Sequence, residues 1–266
     1  MNGGILELMA PAAGEITLAT LGCVVLLADL FLTDRQRDTT YWLAVASILV
    51  TAFAVAFWVP EGEAVVFNGA FVLDPLATTL KLFTCAVVAV VFLYSRDYLK
   101  ARGLFRGEYY VLAMFATLGI LVMISAHSLL SLYLGLELLS LSLYAMVAFD
   151  RDNPIAAESA MKYFVLGAIA SGCFLYGTSM IYGVTGSIDL GEISRHVGAT
   201  GPLNLHLLFA ISFLLVGLAF KLGAVPFHMW LPDVYQGAAT PVTLFIGTAA
   251  KVASFAMFIR VLVDGL

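Results

Sequence analysis

The chain has 266 residues, of which 62% are hydrophobic and only 12% charged, and its formal net charge is −5. A soluble domain carries roughly 25% charged residues, so this composition excludes an ordinary soluble fold and describes a polytopic membrane protein. The basic residues form no run suited to nucleic acid. Cys23, Cys85 and Cys173 stand apart within apolar runs, without metal-ligand or redox spacing, and read as small buried hydrophobes rather than iron–sulfur or zinc ligands.

In a bilayer the unit to count is an apolar run of about 20 residues. The opening MNGGILELMAPAAGE has no basic residue ahead of the first run and does not read as a cleaved secretory signal. Helices are predicted over 14–33, 40–59, 74–95, 109–126, 128–149, 157–184, 204–236 and 242–263. Turn-forming sequences mark their ends: TDRQRD from Thr33, PEGE from Pro60, Asp74-Pro75, and DRDNP from Asp150. The joint Ala126-His127-Ser128 is so short that the helices it connects must be antiparallel neighbours. No strand is predicted, and hence no nucleotide-binding glycine turn following one. The fold class is therefore an all-α polytopic membrane protein with about eight transmembrane helices.

Orientation follows from the basic residues. One set of connections holds Arg35, Arg37, Arg96, Lys100, Arg102, Arg106 and Arg151, and the other only Arg195. That bias places the first set in the cytoplasm and the N-terminus outside.

The informative residues are charges inside the apolar runs. A charge at the bilayer centre costs about 2.5 to 3.5 kcal/mol on insertion scales and usually marks an ion or proton path. Glu137 lies near the middle of the fifth predicted helix, Lys221 in the seventh, Lys251 in the eighth and Lys81 in the third. Helical spacing puts Tyr133, Ser140 and Tyr144 on the face of Glu137, Asp74, Thr78 and Thr84 on that of Lys81, and Gly247, Thr248 and Ser254 on that of Lys251. Lys162 has Glu158 one turn before it, which suits a helix-end ion pair as well as a pathway role. Lys81 is read as neutralising Asp74 or snorkelling, and Arg260 and Asp29 as interfacial. A purely structural set of ion pairs would leave one positive charge over among Glu137, Lys221 and Lys251. His127 and His206 both fall near the outer surface, which leaves a bis-histidine haem as an alternative use.

The stretch FKLGAVPFHMWLPDVYQGAATP, Phe220 to Pro241, breaks the seventh helix. Pro226 and Pro232 lack an amide hydrogen and clash with the preceding turn, so the helix must kink or break between Leu222 and Asp233. Irregular backbone at membrane depth is tolerated only inside protein or beside a hydrated cavity. A straight helix from Asn204 to Gln236 would be about 50 Å long, more than the bilayer core. The break puts Lys221 just before, and His228 within, a wet site.

These residues carry a resemblance. FKLGAVPFHMWLPDVYQGAATPVTLFIGTAAK, Phe220 to Lys251, together with LGLELLSLSLYAM, Leu134 to Met146, resembles the antiporter-like membrane subunits of proton-pumping NADH:quinone oxidoreductase, respiratory complex I. The wording is most similar to the subunit N branch. The PFHMWLPD theme is shared with sodium/proton antiporter and membrane hydrogenase subunits. The resemblance implies that Glu137 pairs with Lys221, that Lys251 continues a hydrated axis, that His228 bridges the two lysines, and that Lys162 belongs to the entry side. It implies NAD, FMN, iron–sulfur clusters and quinone in partner subunits and no cofactor in this chain. The partners implied are the other membrane-arm subunits, with the bilayer of a bacterial plasma membrane around them. It also implies an N-terminal three-helix part over 1–108 and a five-helix unit over 109–266, the first half of an inverted-repeat fold. Without the second unit the chain reads alternatively as a structural fragment without a transport path of its own.

Overall fold

A computed structural model describes residues 9–33, 36–59, 62–200 and 205–266. The expectations resting on Arg35, on the turn at Pro60 and on a helix start at Asn204 lie outside these residues. Among the described residues eight helices, or pairs of helices in line, are long and apolar enough to cross a membrane. They are α1 (Ala13–Phe31), α2 (Arg37–Phe57), α3 (Pro75–Ala101), α4 (Gly107–Ile124), α5 (Leu129–Val147), α6 (Pro154–Thr185), α8 (Leu205–Leu222), and α10 (Thr240–Gly247) running into α11 (Ala249–Ile259). A short 3-10 turn, Ala10–Ala12, precedes α1, and a π-helical turn, α12 (Arg260–Gly265), ends the chain.

Local sequence sets the helix starts. Asp74 and Asn153 stand before Pro75 and Pro154; their side chains accept from the Ala77 and Ile155 amides at 2.6 and 3.0 Å, and each proline occupies a position where no amide hydrogen is needed. Ser128 caps α5 in the same way through Leu130. The predicted starts at 74 and 157 lie one and three residues from the observed ones, because Pro75 and Pro154 open the helices directly after their caps. Arg96 and Lys100, taken as loop residues, lie on the last turns of α3, where both reach Asp38 on α2.

Two elements went unread. An antiparallel hairpin pairs β1 (Ala64–Val66) with β2 (Phe71–Leu73), which corrects the expectation of no strand. Phe67 and Asn68 turn it with positive φ. Its four-residue turn and three-residue strands are too short to leave an alternating pattern. The second is α7 (Leu190–Thr200), a surface helix with Leu190 and Ile193 buried and its charged residues outward. The hairpin, the 126–128 joint and residues 188–190 hydrogen-bond together at one end of the bundle, with His127 Nε2 facing Asp189 at 3.8 Å.

The core sits between α4 and α5, which pack the most extensively, as the short joint required. Their contact is glycine against glycine. A Cβ on Gly119 would lie 2.6 Å from the Leu139 amide nitrogen, and one on Gly135 2.9 Å from the Gly119 carbonyl oxygen, both backbone atoms that cannot yield. Gly135→Val is therefore expected to cost about 1–3 kcal/mol of overpacking, read as a lower thermal midpoint in detergent. An unchanged midpoint would show that the helices separate freely. Because Gly135 lies two residues before Glu137, the same contact fixes where Glu137 is presented.

Arg260 lies among helix ends and is turned into the bundle. Its side chain is only 4% exposed; it donates to both Asp74 oxygens at 2.8 and 2.9 Å, to Asp264 at 2.9 Å, and to the Ile124 carbonyl at 3.0 Å. The end of the chain is thereby fastened to the start of α3 and the end of α4. Cys23 is a smaller correction: it is exposed on α1, whereas Cys85 is buried.

Candidate functional site

The site grows from the way α8 stops. Gly223, at φ +72°, terminates the helix: its amide bonds to Phe220 O at 3.1 Å and the Ala224 amide to Ala219 O at 2.8 Å, the paired closure typical of a left-handed glycine cap. Residues 223–229 are non-helical, and α9 (Trp230–Gly237) resumes the path. Pro226 lies in the break. Pro232 occupies the first turn of α9, where its missing amide hydrogen is harmless to the new helix, and its ring keeps helix from continuing back through His228, so the break falls within the expected interval.

A helix end buried in a membrane leaves carbonyls that need donors. Three side chains supply them. Trp230 Nε1 donates to Phe220 O at 3.0 Å, Lys251 Nζ to Leu222 O at 2.9 Å and to Lys221 O at 3.4 Å, and Ser254 Oγ to Lys221 O at 3.3 Å. The negative end of the α8 dipole also favours cations there. Lys251 is aimed by a second break that the sequence reading missed. Its helix was expected to run unbroken over 242–263, but Thr248, at φ −117° and ψ −80°, separates α10 from α11 three residues earlier. Thr248 turns its hydroxyl back to Leu244 O at 2.6 Å and does not reach the lysine.

Lys221, in the last turn of α8, is buried, and its ammonium donates to Ser140 Oγ at 2.5 Å. Ser140 in turn donates to Leu136 O. Glu137 is one turn from Ser140 on α5, and its Oε1 is closed off from solvent with no hydrogen-bond donor. No ion pair joins Glu137 to Lys221 among the described residues, which corrects the direct pairing expected. Tyr133 and Tyr144 do not bond Glu137 either. Tyr133 stacks on Phe174 at 6.4 Å, and Tyr144 meets Tyr163 edge-on at 4.8 Å.

Between the lysines lies a cavity of about 10 Å³ lined by Lys221, Lys251, Ser254, Tyr163 and Trp230, near the least space that a single water needs. Trp230 is the functional residue most plainly missed. It stacks on Tyr163 at 4.6 Å, and Lys251 Nζ lies 5.6 Å from its ring centroid. Its place in a broken helix between two prolines was the available signal, overshadowed by the neighbouring histidine. His228 itself is exposed and lines no part of this cavity, so it does not bridge the lysines here. Lys162 lies apart, in an exposed cluster with Glu158 at 2.9 Å, as its spacing suggested, and with Asp233 at 3.0 Å. Lys81 pairs with Glu15 at 2.6 Å rather than with Asp74, which Arg260 has taken.

Comparison with known proteins places the chain in a family. Residues 126–265 match the family described as NADH:quinone oxidoreductase/Mrp antiporter, transmembrane. NADH-quinone oxidoreductase subunit N of Thioalkalivibrio sulfidiphilus is 55% identical over 258 residues, 96% of this chain and 54% of that protein. The subunit N of Thiobacillus denitrificans is 52% identical over 257 residues, 97% of this chain and 53% of that protein. A chain in respiratory complex I from Thermus thermophilus with bound aureothin superposes with a TM-score of 0.79 at 32% identity, covering 93% of this chain and 52% of that one. A chain of the Mrp complex from Dietzia sp. DQ12-45-1b shares the fold alone, with a TM-score of 0.74 at 23% identity over 96% of this chain and 48% of that one. The chain spans about half the length of the curated relatives it matches. On the matched residues, and on the broken helix that lies within them, the chain belongs to the NADH:quinone oxidoreductase/Mrp antiporter transmembrane family.

Proposed function

We propose that this chain is part of a proton-translocating membrane-arm subunit of NADH:quinone oxidoreductase. The observation that carries the reading is the convergence of Lys221 and Lys251 on one broken helix end, with Glu137, whose Oε1 is closed off from solvent, one turn from the serine that holds Lys221. NAD, FMN, iron–sulfur clusters and quinone belong to partner subunits in this reading, and this chain carries no redox step. It sits in a bacterial inner membrane with its N-terminus outside, against antiporter-like neighbours. The division at residues 108 and 109 is part of the same proposal; the five-helix part holds Glu137, Lys221 and Lys251.

Two ammonium groups at one helix end repel each other, so loading either with a proton favours unloading the other. A water-sized cavity between them gives the proton a route. Glu137 supplies the bias: with its negative charge near, Lys221 keeps its proton, and a shift of that charge, driven by quinone chemistry elsewhere, releases it toward Lys251. Lys162, with Glu158 and Asp233, is assigned to the entry side. Moving one charge across 100 mV takes about 2.3 kcal/mol, which corresponds to under two units of proton affinity at about 1.36 kcal/mol each. A rearranged buried charge supplies that much.

The test is native separation of membranes that contain the full-length protein, with in-gel NADH oxidation and proton uptake into vesicles. Co-migration with the NADH-oxidising band, and NADH-driven acidification that survives removal of sodium, are expected. Migration elsewhere with sodium-dependent proton flux would overturn this reading in favour of a cation/proton antiporter.

A further inference from the structure

One column of side chains on the outer side of α3 has no part in the site at Lys221. Tyr94, Tyr98 and Arg102 follow one another at four-residue intervals and so share a face. Opposite them, Thr240 and Leu244 stand one turn apart at the start of α10. Between the two helices runs a groove of about 360 Å³, walled by Tyr94, Tyr98, Pro241 and Leu244. Ser95 also borders it, but its hydroxyl is turned to Val91 O and to Tyr109, so rings and aliphatic carbon make up most of the wall. At the end where α3 stops, Tyr98 and Thr240 line a second cavity of about 350 Å³ and opposite character. Arg102 after α3, Asp150 and Asn153 after α5, and Gln236 at the end of α9 converge on it. Its two charges do not neutralise each other. Arg102 makes no ion pair among the described residues, and its guanidinium carbon lies 5.7 Å from the Tyr98 ring centroid. The Asp150 side chain accepts from the neutral Asn153 amide at 3.3 Å and, among the described residues, from no cation.

An occupant that satisfies both cavities has an apolar part at span depth and, directly beyond it, an anion and a cation on one head. We propose that the α3–α10 groove and the cavity at its end form one phospholipid site, selective for a primary-amine headgroup. An acyl chain lies along Tyr94, Pro241 and Leu244, the phosphate meets Arg102 and the ammonium meets Asp150. A guanidinium is suited to a phosphate because its forked donors match two oxygens, and basic pockets between spans at a membrane surface hold lipid phosphates. The carboxylate sets the headgroup. A primary ammonium offers it N–H donors, a quaternary ammonium has none, and a headgroup that is anionic alone leaves Asp150 facing like charge. The inference does not rest on the translocation reading, because lipid binding is measured without turnover.

The experiment is photo-cross-linking of the full-length protein, in its assembled complex in lipid nanodiscs, with phosphatidylethanolamine that carries a diazirine on an acyl chain. Peptide mass spectrometry locates the adducts. They are expected on the segments 94–98 and 241–244, and to be displaced by unlabelled phosphatidylethanolamine about five-fold better than by phosphatidylcholine or phosphatidylglycerol. Arg102→Gln and Asp150→Asn should each lower this labelling by about five-fold or more. Arg151→Gln, which removes an exposed arginine that pairs with Glu108 and does not line the cavity, should leave it unchanged. Leu244→Trp fills the groove without touching either charge and should give the same loss by another route. Equal displacement by all three lipids, or labelling unmoved by Arg102→Gln and Asp150→Asn, would overturn the headgroup site and leave unselective contact with the bilayer. Wild-type protein without adducts on either segment would overturn the groove as a lipid site and show that protein covers it.

Discussion

Lys221→Ala, introduced into the full-length protein, is expected to lower proton-coupled turnover by about 10²-fold or more, the scale of losing a positioned proton-transfer group, while the complex still assembles. Assembly should survive because removal of a buried cation also removes its desolvation cost. The left-handed cap at Gly223 and the donors from Trp230, Lys251 and Ser254 all remain to hold the broken helix. Lys221→Arg separates the two roles that the lysine could have. Arginine keeps the positive charge beside Ser140 and Glu137 but does not release its proton. If Lys221 exchanges protons, the arginine variant is as slow as the alanine one; if it only supplies charge, turnover is restored. Paired measurements of NADH oxidation and vesicle acidification decide between them. Full coupled activity in Lys221→Ala would remove it from the centre of the site.

The spans, the broken helix and the three central charges were all legible in the sequence. Insertion into a bilayer is a strong filter on composition, and Lys221, Glu137 and Lys251 had no cheap reason to be where they are. What stayed illegible was partnership between helices remote in sequence. Asp74 lies about two turns before Lys81 and looked like its partner by spacing, yet as the cap of α3 it faces Arg260, 186 residues away. Glu15, at the start of the first predicted helix, carried no sign of a partner and is the residue Lys81 meets. Spacing along one helix reports a shared face; it says nothing about which helix covers that face. The break at Thr248 was hidden for another reason. It contains neither proline nor a left-handed glycine, only Gly247 and a threonine whose hydroxyl takes the carbonyl four residues back, a bond that Thr117 and Thr178 also make inside unbroken helices. His228 failed in the opposite direction, since a titratable residue in a break invites a role whether or not its ring turns inward.

Arg260→Met is expected to destabilise the protein by about 3–5 kcal/mol at neutral pH, because it strands two carboxylates that share one buried partner. Burial pushes the Asp74 carboxyl up, but the hydrogen bonds from Arg260 and from the Ala77 amide, with the guanidinium charge, outweigh it and hold the group below the usual carboxylate value. A carboxyl lowered in the folded state stabilises the fold above its unfolded value of about 3.9 and loses that contribution as the pH falls through the lower folded value. In Arg260→Met the guanidinium's hydrogen bonds and charge are gone, only the Ala77 amide bond still opposes burial, and the Asp74 carboxyl moves up. The acid limb of the stability curve should therefore move to higher pH, and the deficit against wild type should shrink on acidification, where Asp74 is protonated in both. Adding Asp74→Asn removes the stranded charge but keeps a good helix cap, so the double variant should recover much of the loss at neutral pH. Thermal unfolding in detergent across pH reads all three. A deficit in Arg260→Met within about 0.5 kcal/mol, the range of an ordinary surface change, would mean that the clamp between the end of the chain and the start of α3 does not hold the bundle together.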